Sequence, residues 1–186
     1  MKQWLKEQLD AKQKTAMPVL SFPAIQLLNI SVKDLISSSD AQANGMKAVA
    51  DRVDSAASVS LMDLSVEAEC FGSQIRFSDG EVPTVIGSVV SDLEAAEKLE
   101  IPAVGASRTG IYIEGIEKAV KLITDRPVFA GVIGPFSLAG RLMDVSEAMI
   151  YCYEEPEMVH MVMDKVSAFI IDYINAYKKV GANGVV

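Results

Sequence analysis

The chain has few of the residues that metal centres and nucleic-acid surfaces require. Its 186 residues include two cysteines and one histidine, and 25 Asp and Glu outnumber 17 Lys and Arg, for a formal net charge of −8. Because nucleic-acid binding requires a cationic face, this balance argues against a nucleic-acid partner. Cys70 and Cys152 are too few for a disulfide framework and lack metal-ligand spacing, which indicates a reducing, cytoplasmic setting.

Long apolar runs are also missing. The most apolar helical stretch, residues 166–176, is interrupted by Asp172 and Asn175. It is well short of the roughly 20 apolar residues that a membrane-spanning helix needs. Residues 1–15 are charged throughout and contain no apolar core of a signal peptide. We therefore expect no membrane partner.

What the chain does contain is an alternation of buried-strand runs with helical periodicity. Strands are predicted at residues 17–22, 59–64, 128–133 and 182–186. Helices are predicted at residues 2–14, 40–54, 92–99, 111–124 and 157–179, with another beginning near residue 137. This β-α-β order predicts an α/β fold with about four parallel strands and right-handed crossovers. We expect residues 1–186 to form a single domain, with a leading helix within residues 1–16.

The stretch Ala57–Pro83 brings an acid to the end of a buried strand. Asp63 interrupts an apolar run, where a carboxylate is costly to bury without a partner. Since sites in α/β folds form at the carboxyl ends of parallel strands, Asp63 is the candidate catalytic residue. The alternative is a strand-end carboxylate that caps a loop. Residues 74–77 alternate polar and apolar before a turn at residues 78–80, which predicts a β-hairpin excursion.

Four further residues are candidates for substrate binding. Glu67 follows Asp63 in an acidic loop, and is either a solvated carboxylate or part of the site. Phe136 and Ser137 follow the third predicted strand at a helix start, where free N–H groups favour anions. Arg141 lies one turn later and could hold a carboxylate or sulfonate in a forked geometry. The alternative for these last three is a packing role. No metal ligands are predicted.

Two segments carry a family resemblance. Residues 62–85, MDLSVEAECFGSQIRFSDGEVPTV, resemble the segment after the second barrel strand in the uroporphyrinogen decarboxylase superfamily, in particular its methylcobalamin:coenzyme M methyltransferase branch. Residues 134–140, GPFSLAG, are similar to the superfamily's Gly-Pro-Phe-Thr-Leu-Ala turn. The resemblance extends over roughly residues 18–186. It implies a (β/α)8 TIM barrel, of which this chain is the first half, and it places Asp63 where the decarboxylases have their essential aspartate.

The branches of this superfamily differ in a feature that this chain lacks. The decarboxylases hold propionates with two arginines after the first strand, whereas here no Arg or Lys lies between Lys14 and Lys33. The resemblance therefore implies a methyltransferase that moves a methyl group from a methylated corrinoid protein (methylcobalamin type) to a small-molecule thiol such as coenzyme M. The zinc of that branch is bound by a His-x-Cys pair and a later Cys, which are expected outside these residues.

Two alternatives stay open. One is a decarboxylase of a porphyrinogen-like tetrapyrrole, a carboxy-lyase. The other is a non-catalytic corrinoid-binding module. A half barrel also leaves two sheet edges unpaired, so a homo-oligomer is among the ways to cover them.

Overall fold

The computed structural model describes all 186 residues, which form ten helices and five short strands. The helices are α1 Lys2–Asp10, α2 Ala24–Leu28, α3 Val32–Ser37, α4 Ser39–Arg52, α5 Val66–Cys70, α6 Leu93–Lys98, α7 Thr109–Leu122, α8 Pro135–Met143, α9 Val145–Glu154 and α10 Pro156–Lys179. The strands are β1 Ser58–Val59, β2 Gln74–Arg76, β3 Thr84–Ile86, β4 Val128–Ala130 and β5 Gly184–Val185. None of the helices combines the length and the apolar run that crossing a bilayer requires.

A parallel sheet organises the first of two compact units, which consists of residues 1–62, 111–131 and 177–186. The strand order is β1-β4-β5, with Ser58 opposite Val128 and Phe129 opposite Gly184. Every residue of β4 is buried, as in a parallel strand covered on both faces. A Cβ on Gly184 would come within 3.0 Å of the Phe129 ring, so glycine permits this close approach. The predicted parallel sheet is therefore present.

The segment predicted as the first strand, residues 17–22, is not a strand. Residues 17–20 have no regular structure and residues 21–23 form a turn. Pro18 has no N–H to give to a ladder. The Ser21 hydroxyl instead donates to the Val59 carbonyl at 2.8 Å, so a side chain joins this segment to β1. The sheet consequently has three parallel strands in place of about four.

The predicted strands at 59–64 and 128–133 are shorter than expected for a related reason. Beyond β4, the Gly131 N–H donates to the Ser60 hydroxyl at 2.8 Å and not to a backbone carbonyl. A side chain therefore takes over where the backbone ladder would continue. The chain leaves both strands early and enters the loops that carry the candidate residues.

The second compact unit consists of residues 63–110 and 132–176 and contains the hairpin. Strands β2 and β3 are antiparallel, with Gln74 opposite Ile86, which confirms the predicted excursion. Helix α5 packs against α8. Three aromatic rings form part of the core, because Phe169 lies 5.2 Å from Phe71 and 5.8 Å from Tyr173 between ring centroids.

The long helical predictions are confirmed within two residues at each end. The pattern at 40–54 corresponds to α4, that at 111–124 to α7, and that at 157–179 to α10. The backbone at Gly181 has φ +98°, the left-handed conformation that commonly follows the end of a helix. The leading helix α1 ends earlier than predicted, at Asp10, and its Trp4 packs edge-on against Phe129 at 5.4 Å.

Candidate functional site

Asp63 lies four residues after β1 along the chain and opens the second unit. Its side chain is 0% exposed. One carboxylate oxygen, Oδ1, accepts from the Ser65 N–H at 3.0 Å and from the Ser65 hydroxyl at 2.6 Å. The other, Oδ2, accepts from Nη1 of Arg108. Asp63 thus has the partners that a buried carboxylate requires.

Arg108, the residue before α7, is the centre of this arrangement. Its Nε donates to Glu69 at 2.6 Å and its Nη2 to the Ser65 hydroxyl at 2.9 Å, while Nη1 binds Asp63. The guanidinium carbon lies 5.0 Å from the centre of the Phe77 ring, a cation–π contact. All three nitrogens of Arg108 are therefore engaged. We call these five residues the Arg108 cluster.

Sequence reasoning missed Arg108. Arg108 lies between the helices predicted at 92–99 and 111–124, and it is 45 positions from the aspartate that it binds. The signal available was a charge imbalance, because three acids fall between residues 63 and 69 with no cation nearby in sequence. That imbalance indicates that the acids need a cationic partner, but it does not identify which Lys or Arg is that partner.

Glu67 is turned into the protein by α5 and is 3% exposed. Its Oε1 accepts from the Ile133 N–H at 3.1 Å, and its Oε2 is buried without a hydrogen-bond partner. Burial raises the pKa of Glu67 to about 7, and the Asp63 charge adds to the rise, while the Ile133 hydrogen bond and the Arg141 charge oppose it. The alternative of a solvated carboxylate is therefore wrong for Glu67.

Arg141 lies on α8, the helix that packs against α5. The residue is half-buried, and its Nε is buried without a hydrogen-bond partner. Arg141 takes part in none of the ion pairs of the protein. Glu67 and Arg141 lie on two helices that pack against each other, and the Arg141 charge lowers the pKa of Glu67. We call these two residues the Glu67–Arg141 site.

Phe136 and Ser137 occupy the first turn of α8, and both are exposed. The helix begins at Pro135 after Gly134, and no side chain caps it. The N–H groups of this turn are the donors that a helix leaves without an intrahelical partner. The structure thus places Phe136, Ser137 and Arg141 on one helix, as predicted. Their role in substrate binding stays a prediction.

The potential metal-ligating side chains of the chain do not converge on one site. No group of three or more His, Cys, Asp and Glu side chains lies close enough to hold a metal ion. Cys70 and Cys152 are free thiols, and the Cys70 sulfur faces the Ala103 and Ala106 carbonyls at 3.8 and 3.7 Å. The residues of this chain therefore do not fit the zinc that the resemblance implies.

Comparison with known proteins decides the family. The family model described as Uroporphyrinogen decarboxylase (URO-D) matches residues 14–186. The chain belongs to this family. It is 32% identical over 128 residues to Methylcobamide:CoM methyltransferase MtbA of Methanosarcina acetivorans, a match that covers 65% of the chain and 36% of that protein. It is 26% identical over 142 residues to Uroporphyrinogen decarboxylase of Ruthia magnifica, covering 73% of the chain and 40% of the relative.

These curated relatives are enzymes by name, and the chain matches well under half of their length. A solved structure described as a methyltransferase from Methanosarcina mazei superposes with a TM-score of 0.80. The match covers 92% of this chain and 51% of that one at 21% identity, which establishes the fold alone. This URO-D chain is an α/β protein whose parallel sheet and helices correspond to part of a TIM-barrel methyltransferase.

Proposed function

We propose that this URO-D chain is part of a corrinoid-dependent methyltransferase that moves a methyl group from a methylated corrinoid protein to a small-molecule thiol such as coenzyme M. The observation that carries the proposal is the absence of any Lys or Arg between Lys14 and Lys33. A substrate with several propionates requires cations at that place, whereas a neutral methyl group does not. The 32% identity to MtbA supports the same branch.

The proposed reaction is a displacement at the methyl carbon. The thiol sulfur forms a bond to the methyl carbon, the cobalt–carbon bond breaks with its electron pair left on the corrinoid, and the thiol proton is released. The residues of this chain bind and position the reactants. The catalytic role of Asp63, to orient or polarise the reactants, stays part of the proposal. Its hydrogen bonds to Ser65 and Arg108 also let it position the loop of α5. Phe136, Ser137, Arg141 and Glu67 bind the substrates.

Zinc, where bound, would supply the thiol in its more nucleophilic thiolate form. Because no group of side chains in this chain can hold a metal ion, we propose that the zinc ligands lie outside it. These residues would then act as the first half of one barrel domain, in the cytoplasm, with a corrinoid protein and a thiol as partners. The same observation favours a second candidate, a non-catalytic corrinoid-binding module.

The test is a methyl-transfer assay. This chain, combined with the polypeptide that carries the zinc ligands, is mixed with zinc, methylcobalamin and coenzyme M, and loss of the methylcobalamin absorbance is followed, with MtbA of Methanosarcina acetivorans as the positive control. A parallel reaction contains uroporphyrinogen in place of methylcobalamin and coenzyme M, and carbon dioxide release is followed. We expect thiol-dependent loss of methylcobalamin and no carbon dioxide release from uroporphyrinogen. Carbon dioxide release would overturn the proposal in favour of a decarboxylase. Methylcobalamin binding without turnover would overturn it in favour of the binding module.

A further inference from the structure

The Glu67–Arg141 site contains two buried polar atoms that no protein group satisfies. They are Oε2 of Glu67 and Nε of Arg141. Two other side-chain atoms share this property, but both belong to uncharged residues, Gln42 and Ser73. Buried polar atoms are almost always hydrogen-bonded, so an unpartnered pair on neighbouring ionisable side chains requires an explanation. A bound ligand would supply one.

The hydrogen bond to Ile133 determines what Glu67 offers such a ligand. Because Oε1 already accepts from the Ile133 N–H, the proton of a neutral Glu67 carboxyl lies on Oε2. The neutral form is favoured because the side chain is buried and no cation lies within ion-pair distance. Of the charged groups around it, Asp63 favours the neutral form and Arg141 opposes it. Neutral Glu67 thus presents an O–H donor with no acceptor.

Arg141 presents donors as well. A guanidinium has five N–H groups and no acceptor, and Arg141 forms no ion pair within the protein. Two neighbouring side chains that both donate are complementary to oxygens that only accept. A carboxamide would satisfy one donor and bring an N–H against the other, whereas an oxyanion satisfies both.

We propose that Glu67 and Arg141 form an oxyanion subsite that takes up a proton with its ligand. Neutral Glu67 donates its Oε2–H, and Arg141 donates its N–H groups, to the oxygens of one carboxylate, sulfonate or phosphate group. The subsite rests on the two unpartnered atoms and on the packing of α5 against α8. Only the identity of the molecule that carries this anionic group rests on the proposed function. That molecule is either the thiol acceptor, through its acid group, or the corrinoid, through its phosphodiester.

The test is calorimetric titration of the protein with ethanesulfonate at pH 6, 7 and 8, in imidazole and Tris, which lack sulfonate groups. With a Glu67 pKa of about 7, the protonated fraction, and with it the affinity, falls about tenfold between pH 6 and pH 8. Comparing buffers of different ionisation enthalpy should reveal uptake of about half a proton at pH 7. A parallel titration with dimethyl phosphate distinguishes the two sources, since the tighter of the two anions identifies the carrier.

Three variants sharpen the result. Glu67→Gln keeps a permanent N–H donor, so binding should persist while its pH dependence disappears. Arg141→Gln should weaken binding at least tenfold. The matched control is Glu81→Gln, an exposed position of the same unit, which should behave as the unmodified protein does.

Several outcomes would overturn the subsite. They are pH-independent binding, binding that strengthens as the pH rises, tighter binding of propionamide than of either anion, unchanged binding in Arg141→Gln, or binding of neither anion. Failure of the subsite is distinct from failure of the proposed function. If methyl transfer is observed together with any of these outcomes, the oxyanion subsite is contradicted and the methyltransferase function is supported. If proton-linked anion binding is observed without methyl transfer, the subsite is supported and the methyltransferase function is contradicted.

Discussion

Arg108 and Arg141 belong to the same compact unit, but their surroundings are opposite. Arg108 is 10% exposed by side chain and binds two carboxylates, one hydroxyl and the face of an aromatic ring. Arg141 is half-buried and forms no ion pair, and its Nε has no hydrogen-bond partner. The carboxyl near it, Glu67, is also left with one oxygen unpartnered.

The difference in protein partners indicates which of the two arginines is structural. Each of the three nitrogens of Arg108 donates to a side chain of its own protein, which supports a role for Arg108 in holding loops in place. The buried Nε of Arg141 has given up its hydrogen bond to water without replacing it, and an anion that accepts from Nε would recover that cost. We therefore propose that the Arg108 cluster stabilises the fold and that the Glu67–Arg141 site binds a ligand.

The largest expected effect is from Arg108→Met. This variant leaves Asp63 buried without its cation, and breaking a buried pair in this way costs about 3–5 kcal/mol. We expect a loss of that size in the free energy of unfolding, measured by urea titration at pH 7. The double variant with Asp63→Asn should recover part of the loss, because the uncompensated carboxylate is then gone.

Arg76→Met is the matched control for Arg108→Met. Arg76 is exposed on β2 in the same unit, and surface substitutions change the free energy of unfolding by about 0.5 kcal/mol or less. If Arg108→Met and Arg76→Met were equally stable, the cluster would not be structural and the first half of the comparison would fail.

The next effect is on pH dependence and concerns Glu67. Its pKa is raised from 4.5 to about 7 in the folded protein, so the folded state holds this proton more tightly than the unfolded state does. The stabilisation is present in full below about pH 4.5 and is lost as the pH rises to about 7. From the pKa difference, the Glu67 contribution is about 3 kcal/mol. Urea titrations at pH 5, 6, 7 and 8 should show the difference between the unmodified protein and Glu67→Gln changing by about this amount.

The control for this series is again Glu81→Gln, which should retain the pH slope of the unmodified protein because Glu81 is exposed. A Glu67→Gln variant with an unchanged slope would mean that Glu67 titrates as a solvated carboxylate. The neutral donor on which the oxyanion subsite depends would then be absent near pH 7.

Local patterns in the sequence were sufficient for much of the fold. Apolar periodicity predicted α4, α7 and α10, and alternation predicted the hairpin of β2 and β3. The first strand was predicted wrongly because an apolar run does not reveal whether a partner strand can bond to it. That outcome depends on Pro18 and on the hydrogen bond from Ser21 to Val59, 38 residues away.

The site was predictable only in part. Asp63 could be selected from its position at the end of a buried run, since the cost of burying an acid is a local argument. Arg108 could not, because the pairing of charges 45 residues apart is set by tertiary structure. Glu67 was left open because two acids two residues apart point together in a strand and apart in a helix. The five-residue helix α5 resolves this by burying Glu67 and leaving Glu69 to reach Arg108.

The smallest effect on the unliganded protein is expected from Arg141→Gln. Because Arg141 forms no ion pair, its removal should change the free energy of unfolding by about 1 kcal/mol or less, in contrast to Arg108→Met. With ethanesulfonate at about 100 times the dissociation constant of the unmodified protein, that protein should gain about 2.7 kcal/mol of stability, and Arg141→Gln should gain about 1.4 kcal/mol at most.

This difference in anion-induced stabilisation is the most direct test of the comparison between the two arginines, because a purely structural arginine cannot produce it. Arg108→Met is expected to lower stability equally with and without the anion, since its partners are all within the protein. If Arg141→Gln proved as destabilising as Arg108→Met without ligand, Arg141 would have partners within the fold, and both arginines would be structural.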